Sequence, residues 1–178
     1  RGDYAMCTGS AAPNEFCGGP SSLDEGDRWP NCQDLPPGEA NPCGGASGDN
    51  CWRDMSDHNG ISYQQSEVRM SQVRDGASNT LMIGEKYLIP DEYTTGTNPA
   101  DNETMYAGYD NDNFRNTYQG RTPQRDREGL DIYHYFGSAH PAGCHFVFCD
   151  GSVHRIYYSI YPDVFRILGD RAGGEPLD

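Results

Sequence analysis

The alternation of apolar and polar positions is clearest near the end of the chain. Two hydrophobic runs, Cys144–Cys149 and Ser152–Ile160, flank the dipeptide Asp150-Gly151. That dipeptide accepts the left-handed backbone of a two-residue turn, so the pattern predicts a β-hairpin. In this register Cys149 opposes Ser152, Val147 opposes His154 and His145 opposes Ile156, which makes His145 and His154 diagonal neighbours on one face. Cys144, Phe146 and Phe148 alternate with His145, Val147 and Cys149, and bulk on both faces predicts a hairpin interior to a covered sheet.

Leu81–Leu88 is the next strand signal, with Leu81, Ile83, Glu85 and Tyr87 on one face by period-two geometry. Glu85 is the polar exception. It is read as paired with Arg or Lys at the core edge, or as lying on a wet sheet face, ahead of a catalytic role. Met70–Asp75 predicts one helical turn with Ser71 as cap, Val73 inward and Gly76 as its stop. Pro162–Leu168 predicts a terminal helix, with Pro162 in its first turn, Gly169 as a left-handed exit, and Phe165 and Leu168 over the sheet.

Between these elements the patterning fails. Arg1–Asn59 is dominated by turn formers such as CGGPSS and PPGEANPCGGASGDN, which predict irregular connections, with Trp29 and Trp52 as loop anchors. Pro90–Glu128 is again polar, and Met105, Tyr106, Tyr109, Phe114 and Tyr118 are its candidate anchors. The fold class predicted is α+β: one domain over 1–178, with 1–59 a cysteine-rich loop region and 60–178 a core with an antiparallel β-sheet, long loops and short helices.

Charge narrows the partners. Lys+Arg 13 against Asp+Glu 27 gives a net charge of −14 in 178 residues, which repels a phosphate backbone and anionic membrane surfaces. Nucleic acid is therefore not an expected partner.

Seven cysteines, Cys7, Cys17, Cys32, Cys43, Cys51, Cys144 and Cys149, are candidates for structural disulfides. Five of them fall in the loop-rich opening, where staples would replace a regular core, and this usage suits an oxidising compartment outside the cytosol. Cys144 and Cys149, five residues apart on a strand, are separated by about 16 Å and need different partners. No Cys-x-x-Cys pair or His-Glu-x-x-His sequence favours zinc or haem. Asp110, Asp112 and Asn113, within Asp110-Asn111-Asp112-Asn113, carry part of the donor spacing of a calcium loop without the full EF-hand, so calcium is the candidate cofactor and Asx turns are the plainer alternative.

The nucleophile elbow, phosphate loop and dinucleotide fingerprint are all missing. A Ser–His–Asp set or paired carboxylates remain available only through convergence in space, so no catalytic or cofactor-binding residue is assigned.

Several phrases in order carry a resemblance: RGDYA at Arg1–Ala5, VRMSQVRDGASNTLMIGEKYL at Val68–Leu88, YDNDNFR at Tyr109–Arg115, and FGSAHPAGCHFVFCDGSVHRIYYSI followed by PDVFRILGDRAGGEP at Phe136–Pro176. Together they resemble the planctomycete DUF1559 family, whose chains usually begin with a prepilin-type cleavage and methylation segment. The resemblance implies the globular domain of a type IV pilin-like or type II pseudopilin-like protein, lacking here its hydrophobic N-terminal helix. It further implies self-association in a filament or surface assembly through that absent helix, membrane contact only through it, and an extracellular, cell-surface or periplasmic location. The leading expectation is a non-enzymatic structural subunit or display domain. A calcium- or carbohydrate-binding surface module stands second and an extracellular hydrolase third.

Overall fold

The computed structural model describes residues 2–11, 55–64, 66–104, 106 and 108–174. Cys17, Cys32, Cys43, Cys51, Trp29, Trp52 and Met105 lie outside the described residues. The chain divides into two compact units, Arg1–Pro13 with His58–Asp178, and Asn14–Asp57. Of the second, the described residues 55–57 form a turn.

The first unit is built on strands β1 (Tyr4–Cys7), β2 (Leu81–Glu85), β3 (Phe114–Arg115), β4 (Gln124–Arg125), β5 (Gly137–Ser138), β6 (Gly143–Phe148) and β7 (Val153–Tyr157). Five of them form one sheet in the order β3-β1-β2-β6-β7, and β4 pairs with β5 separately. The pairings β1–β2, β2–β6 and β6–β7 are antiparallel, whereas β1–β3 and β4–β5 are parallel. The fold is thus α+β with a mostly antiparallel sheet, long loops and a short helix, Pro162–Leu168. No helix among the described residues is long and apolar enough to cross a membrane.

β1 lies second in the sheet although it falls within a stretch whose composition predicts loops. Four residues are too short a window for alternation to register, and its pairing with β2 and β3 is long-range.

The core forms on one sheet face. Ala5, Cys7, Leu81, Cys144, Phe146, Phe148 and Ile156 point there and meet Phe136, Phe165 and Leu168. Phe136, Phe146 and Phe165 make a triangle of edge contacts, with centroids 5.0, 5.7 and 6.1 Å apart. Gly84 lies under this triangle because a Cβ there would sit 2.4 Å from Phe146 and 2.8 Å from Phe136. The helix supplies Phe165 and Leu168 as its periodicity predicts. Its exit differs from the prediction, since Gly169 has φ −80 and ends the helix without a left-handed turn. Glycine is required there by close approach: a Cβ would meet Thr117 Oγ1 at 2.0 Å.

The hairpin β6–β7 forms, but with a three-residue loop. Phe148 N donates to Ser152 O and Gly151 N donates to Phe148 O, both at 2.9 Å, and Gly151 takes φ +83. This is a four-residue turn, Phe148–Gly151, closed by a left-handed glycine, and Cys149 belongs to the loop. The register therefore moves by one residue: His145 opposes Arg155, Phe146 opposes His154 and Val147 opposes Val153. A slip of one residue exchanges faces. His145 and His154 consequently lie on opposite faces of the sheet.

A second register change acts on β2. Leu81 pairs with Phe148 and Ile83 with Val147, so β2 carries an extra residue at Met82. Leu81 and Gly84 thus face the core, while Ile83 and Glu85 face outward. The helical turn predicted over Met70–Asp75 is a shorter 3-10 turn, Met70–Gln72, with Arg69 in place of Ser71 at the N-cap position, where its N–H donates to Gln72 Oε1 at 2.7 Å.

The long segment after β2 is held by two buried cations more than by its aromatic residues. Tyr109 stacks on Phe114 at 4.5 Å, but Tyr106 is 88% exposed. Lys86 Nζ donates to the carbonyls of Ala100 and Asp112, each at 3.1 Å, and pairs with Asp101 Oδ1 at 2.9 Å. Arg115 donates to the carbonyls of Asn111, Phe114 (2.6 Å) and Tyr135 (3.1 Å). Burial lowers the Arg115 pKa to about 10, and burial likewise lowers that of Lys86.

Candidate functional site

The outward face of the sheet carries a cross-strand polar row. Tyr4 on β1 opposes Glu85 on β2, and His145 on β6 opposes Arg155 on β7. Antiparallel continuation of the Gly84–Phe146 pair sets Glu85 beside His145. The register shift at Met82 is what turns Glu85 to this face.

Glu85 gathers two histidines. Its Oε2 accepts a hydrogen bond from His145 N at 2.6 Å and lies 3.3 Å from His145 Nδ1. Its Oε1 lies 3.4 Å from His140 Nε2. The two imidazoles stand at 90° with centroids 5.2 Å apart. One ligand atom from each of Glu85, His140 and His145 falls within 4.8 Å of the others, and this is the group of described residues able to hold a metal ion. The carboxylate is 13% exposed, while His140 and His145 are 53% and 43% exposed, so the group opens to solvent on its histidine side.

Local structure fixes the backbone of each member. Glu85 and His145 are on paired strands. His140 lies in the turn after β5, where its N–H donates to Ser138 Oγ at 3.3 Å. The Tyr158 hydroxyl spans the same turn, donating to Ser138 O (3.0 Å) and His140 O (2.8 Å). Arg155, opposite His145, packs on Tyr157, with its guanidinium 5.2 Å from the ring centroid and a contact to the hydroxyl at 3.4 Å.

A cleft of about 470 Å³ adjoins the group and shares Glu85 with it, lined also by Asp3, Lys86, Tyr93, Asp101, Asp126 and Ser138. Burial raises the Asp126 carboxyl, against the opposing effect of hydrogen bonds from Tyr93 Oη (2.6 Å) and Leu88 N (3.2 Å). Burial and the Asp126 carboxylate together push the Tyr93 hydroxyl up.

The calcium candidates lie elsewhere. Asp110, Asp112 and Asn113 occupy a turn in which Asp112 N donates to Asp110 Oδ1 and Asn113 N donates to Asp110 O, both at 2.9 Å. Asp112 Oδ1 accepts from Glu103 N at 2.9 Å, and its carbonyl accepts from Lys86. Asn113 Nδ2 donates to the carbonyls of Thr104 and Gly108. Several of these oxygens thus serve protein donors, and nothing in the arrangement singles out calcium.

Cys7 and Cys144 are buried free thiols and Cys149 is a half-buried one. Burial pushes the Cys7 thiol up to about 12 and raises Cys144 and Cys149 as well. Of the other histidines, His154 contacts Phe148 at 5.3 Å from the core side, and His134 packs on Tyr133 at 4.0 Å.

Glu85 and His145 stood out singly in the sequence, Glu85 as a carboxylate in an apolar strand. Their meeting with His140 had no local signal, because it depends on the β2–β6 pairing, which the extra residue at Met82 displaces from simple alternation, and on the turn that carries His140.

No curated protein and no solved structure matches this chain. The family model SBP_bac_10, described as a protein of unknown function (DUF1559), matches residues 31–163. That match covers most of the chain, which therefore belongs to the DUF1559 family.

Proposed function

We propose that this chain is the globular, non-enzymatic domain of a secreted or cell-surface pilin-like assembly, acting as a structural subunit or display domain. The observation that carries this reading is the asymmetry of the sheet. One face is closed by the core and the helix, while the other presents the cross-strand row Met6, Ile83, Val147 and Val153. On that face Tyr4, Met6, Val153 and Tyr157 are 60%, 36%, 61% and 54% exposed. Apolar side chains aligned on a face that the described residues leave exposed suit contact with a neighbouring subunit. Family membership is consistent with an extracellular or periplasmic setting, and the prepilin-like resemblance supplies the mode, an N-terminal helix packing in the filament.

Assembly of the helix-bearing precursor, followed by electron microscopy, tests this reading. Filaments are expected from the precursor and not from the 178-residue chain alone. Val153→Glu with Tyr157→Glu is expected to reduce assembly while leaving the far-ultraviolet circular dichroism unchanged. Equal filament formation by the 178-residue chain, or undiminished assembly by the double variant, overturns the proposal.

A second reading, a carbohydrate- or calcium-binding surface module, draws on the cleft beside Glu85. Tyr93, Asp126 and Ser138 supply hydroxyl and carboxylate groups of the kind that bind sugar hydroxyls. Glycan-array binding that is lost in Tyr93→Ala would favour it over the structural role.

A further inference from the structure

We infer that Glu85, His140 and His145 form a site for a borderline divalent transition-metal ion, of the class of Zn²⁺, with a coordination position open to solvent. The inference does not rest on the assembly reading, since it concerns the side chains of one chain only.

Donor chemistry sets the class of ion. Two imidazole nitrogens and one carboxylate suit zinc, copper, nickel or iron. Calcium takes six to eight oxygen ligands, which a group with two nitrogens among three donors does not supply. Three protein ligands leave a fourth tetrahedral position, as in open zinc sites.

Geometry agrees. Zinc bonds of about 2.0–2.2 Å to nitrogen and oxygen imply ligand-to-ligand edges of about 3.3–3.5 Å in a tetrahedron. Glu85 Oε2 lies 3.3 Å from His145 Nδ1 and Oε1 lies 3.4 Å from His140 Nε2, so with either oxygen as ligand one carboxylate-to-imidazole edge already has that length. The three ligand atoms lie within 4.8 Å of one another, and side-chain rotation of the half-exposed His140 brings in the remaining edges. The open position falls on the histidine side, where exposure is greatest.

Outer contacts hold the ligands as metal sites require. The His145 N–H bonds the Glu85 carboxylate, and Tyr158 pins the turn that carries His140. Electrostatics favour a cation: besides Glu85, the adjoining cleft is lined by Asp3, Asp101 and Asp126 against the single cation Lys86, which is itself paired with Asp101.

The test is titration of metal-free, reduced protein with Zn²⁺, read by nuclear magnetic resonance of histidine imidazoles and by calorimetry. Seven cysteines provide competing zinc ligands, so the residue-resolved signal is decisive. Saturable shifts of His140 and His145, with His134 and His154 unmoved, are expected. His140→Ala with His145→Ala should remove the component of the binding heat that titrates with those shifts, and Glu85→Gln should weaken that component at least tenfold. Ca²⁺ should leave the imidazole signals in place. Both histidines are half exposed, so the variants are expected to keep the wild-type melting temperature. Zinc binding that leaves His140 and His145 unshifted, or persistence of that heat component in the double variant, overturns the inference, as does failure of Zn²⁺ to bind.

Discussion

Lys86 Nζ and Asp101 Oδ1 lie 2.9 Å apart in the interior, with side chains 1% and 9% exposed. A buried ammonium costs several kcal/mol unless paired and hydrogen-bonded, and Lys86 achieves both through Asp101 and two loop carbonyls. Lys86→Met removes the donor around which residues 98–112 are arranged. We expect a loss of about 3–5 kcal/mol in urea unfolding. A change below about 1 kcal/mol, the scale of an exposed pair, would show that the pair does not hold the loop.

Gly84 lies where Phe146 and Phe136 leave no room for a methyl group. Gly84→Ala is expected to destabilise by about 1–3 kcal/mol through overpacking. The same unfolding measurement checks it, and a neutral or stabilising effect would mean that the aromatic triangle yields readily.

Asp126 introduces a pH dependence of definite sign. Burial raises its folded-state pKa above the ordinary aspartate value. Between the unfolded and folded pKa values the folded state binds more protons, so the contribution of this group to stability is greatest at low pH. It falls as pH rises from about 4 through the folded pKa, then levels. Asp126→Asn removes that descending leg while keeping one acceptor. Melting curves from about pH 3 to 7 should show a wild-type minus variant difference that declines with pH; a difference constant across that range refutes the assignment.

The thiols should differ in reactivity. Thiolates react and thiols do not, and Cys7, raised to about 12, is buried with Cys144, whereas Cys149 is half-buried. Iodoacetamide near pH 8, followed by peptide mapping, should modify Cys149 first and reach Cys7 and Cys144 only on unfolding. Equal labelling of the three in native protein would contradict the burial argument.

The Asp112 carboxylate accepts a hydrogen bond from Glu103 N at 2.9 Å. Asp112→Ala is expected to lower the melting temperature equally in calcium and in chelator. A loss confined to the calcium sample would instead make the turn at Asp110, Asp112 and Asn113 an ion site.

Where the determinants were local, the sequence was legible. Pro162–Leu168 shows its helix through proline at the start and Phe165 and Leu168 on one side, and β6 and β7 show themselves by alternation around Asp150-Gly151. β1 was hidden, because four residues among turn formers carry too little pattern. The interior roles of Lys86 and Arg115 were hidden too, since their partners are carbonyls, which leave no mark in an amino-acid sequence.

The sequence by itself determined the fold class, the acidic character, the family and the chemical types available to a site. Tertiary structure alone decided which of those groups meet. A left-handed Gly151 drew Cys149 into the turn, and an extra residue at Met82 turned Glu85 outward. Strand alternation has a period of two, so each one-residue displacement exchanged a whole face. Those two displacements separated His145 from His154 and brought Glu85 to His145 and His140.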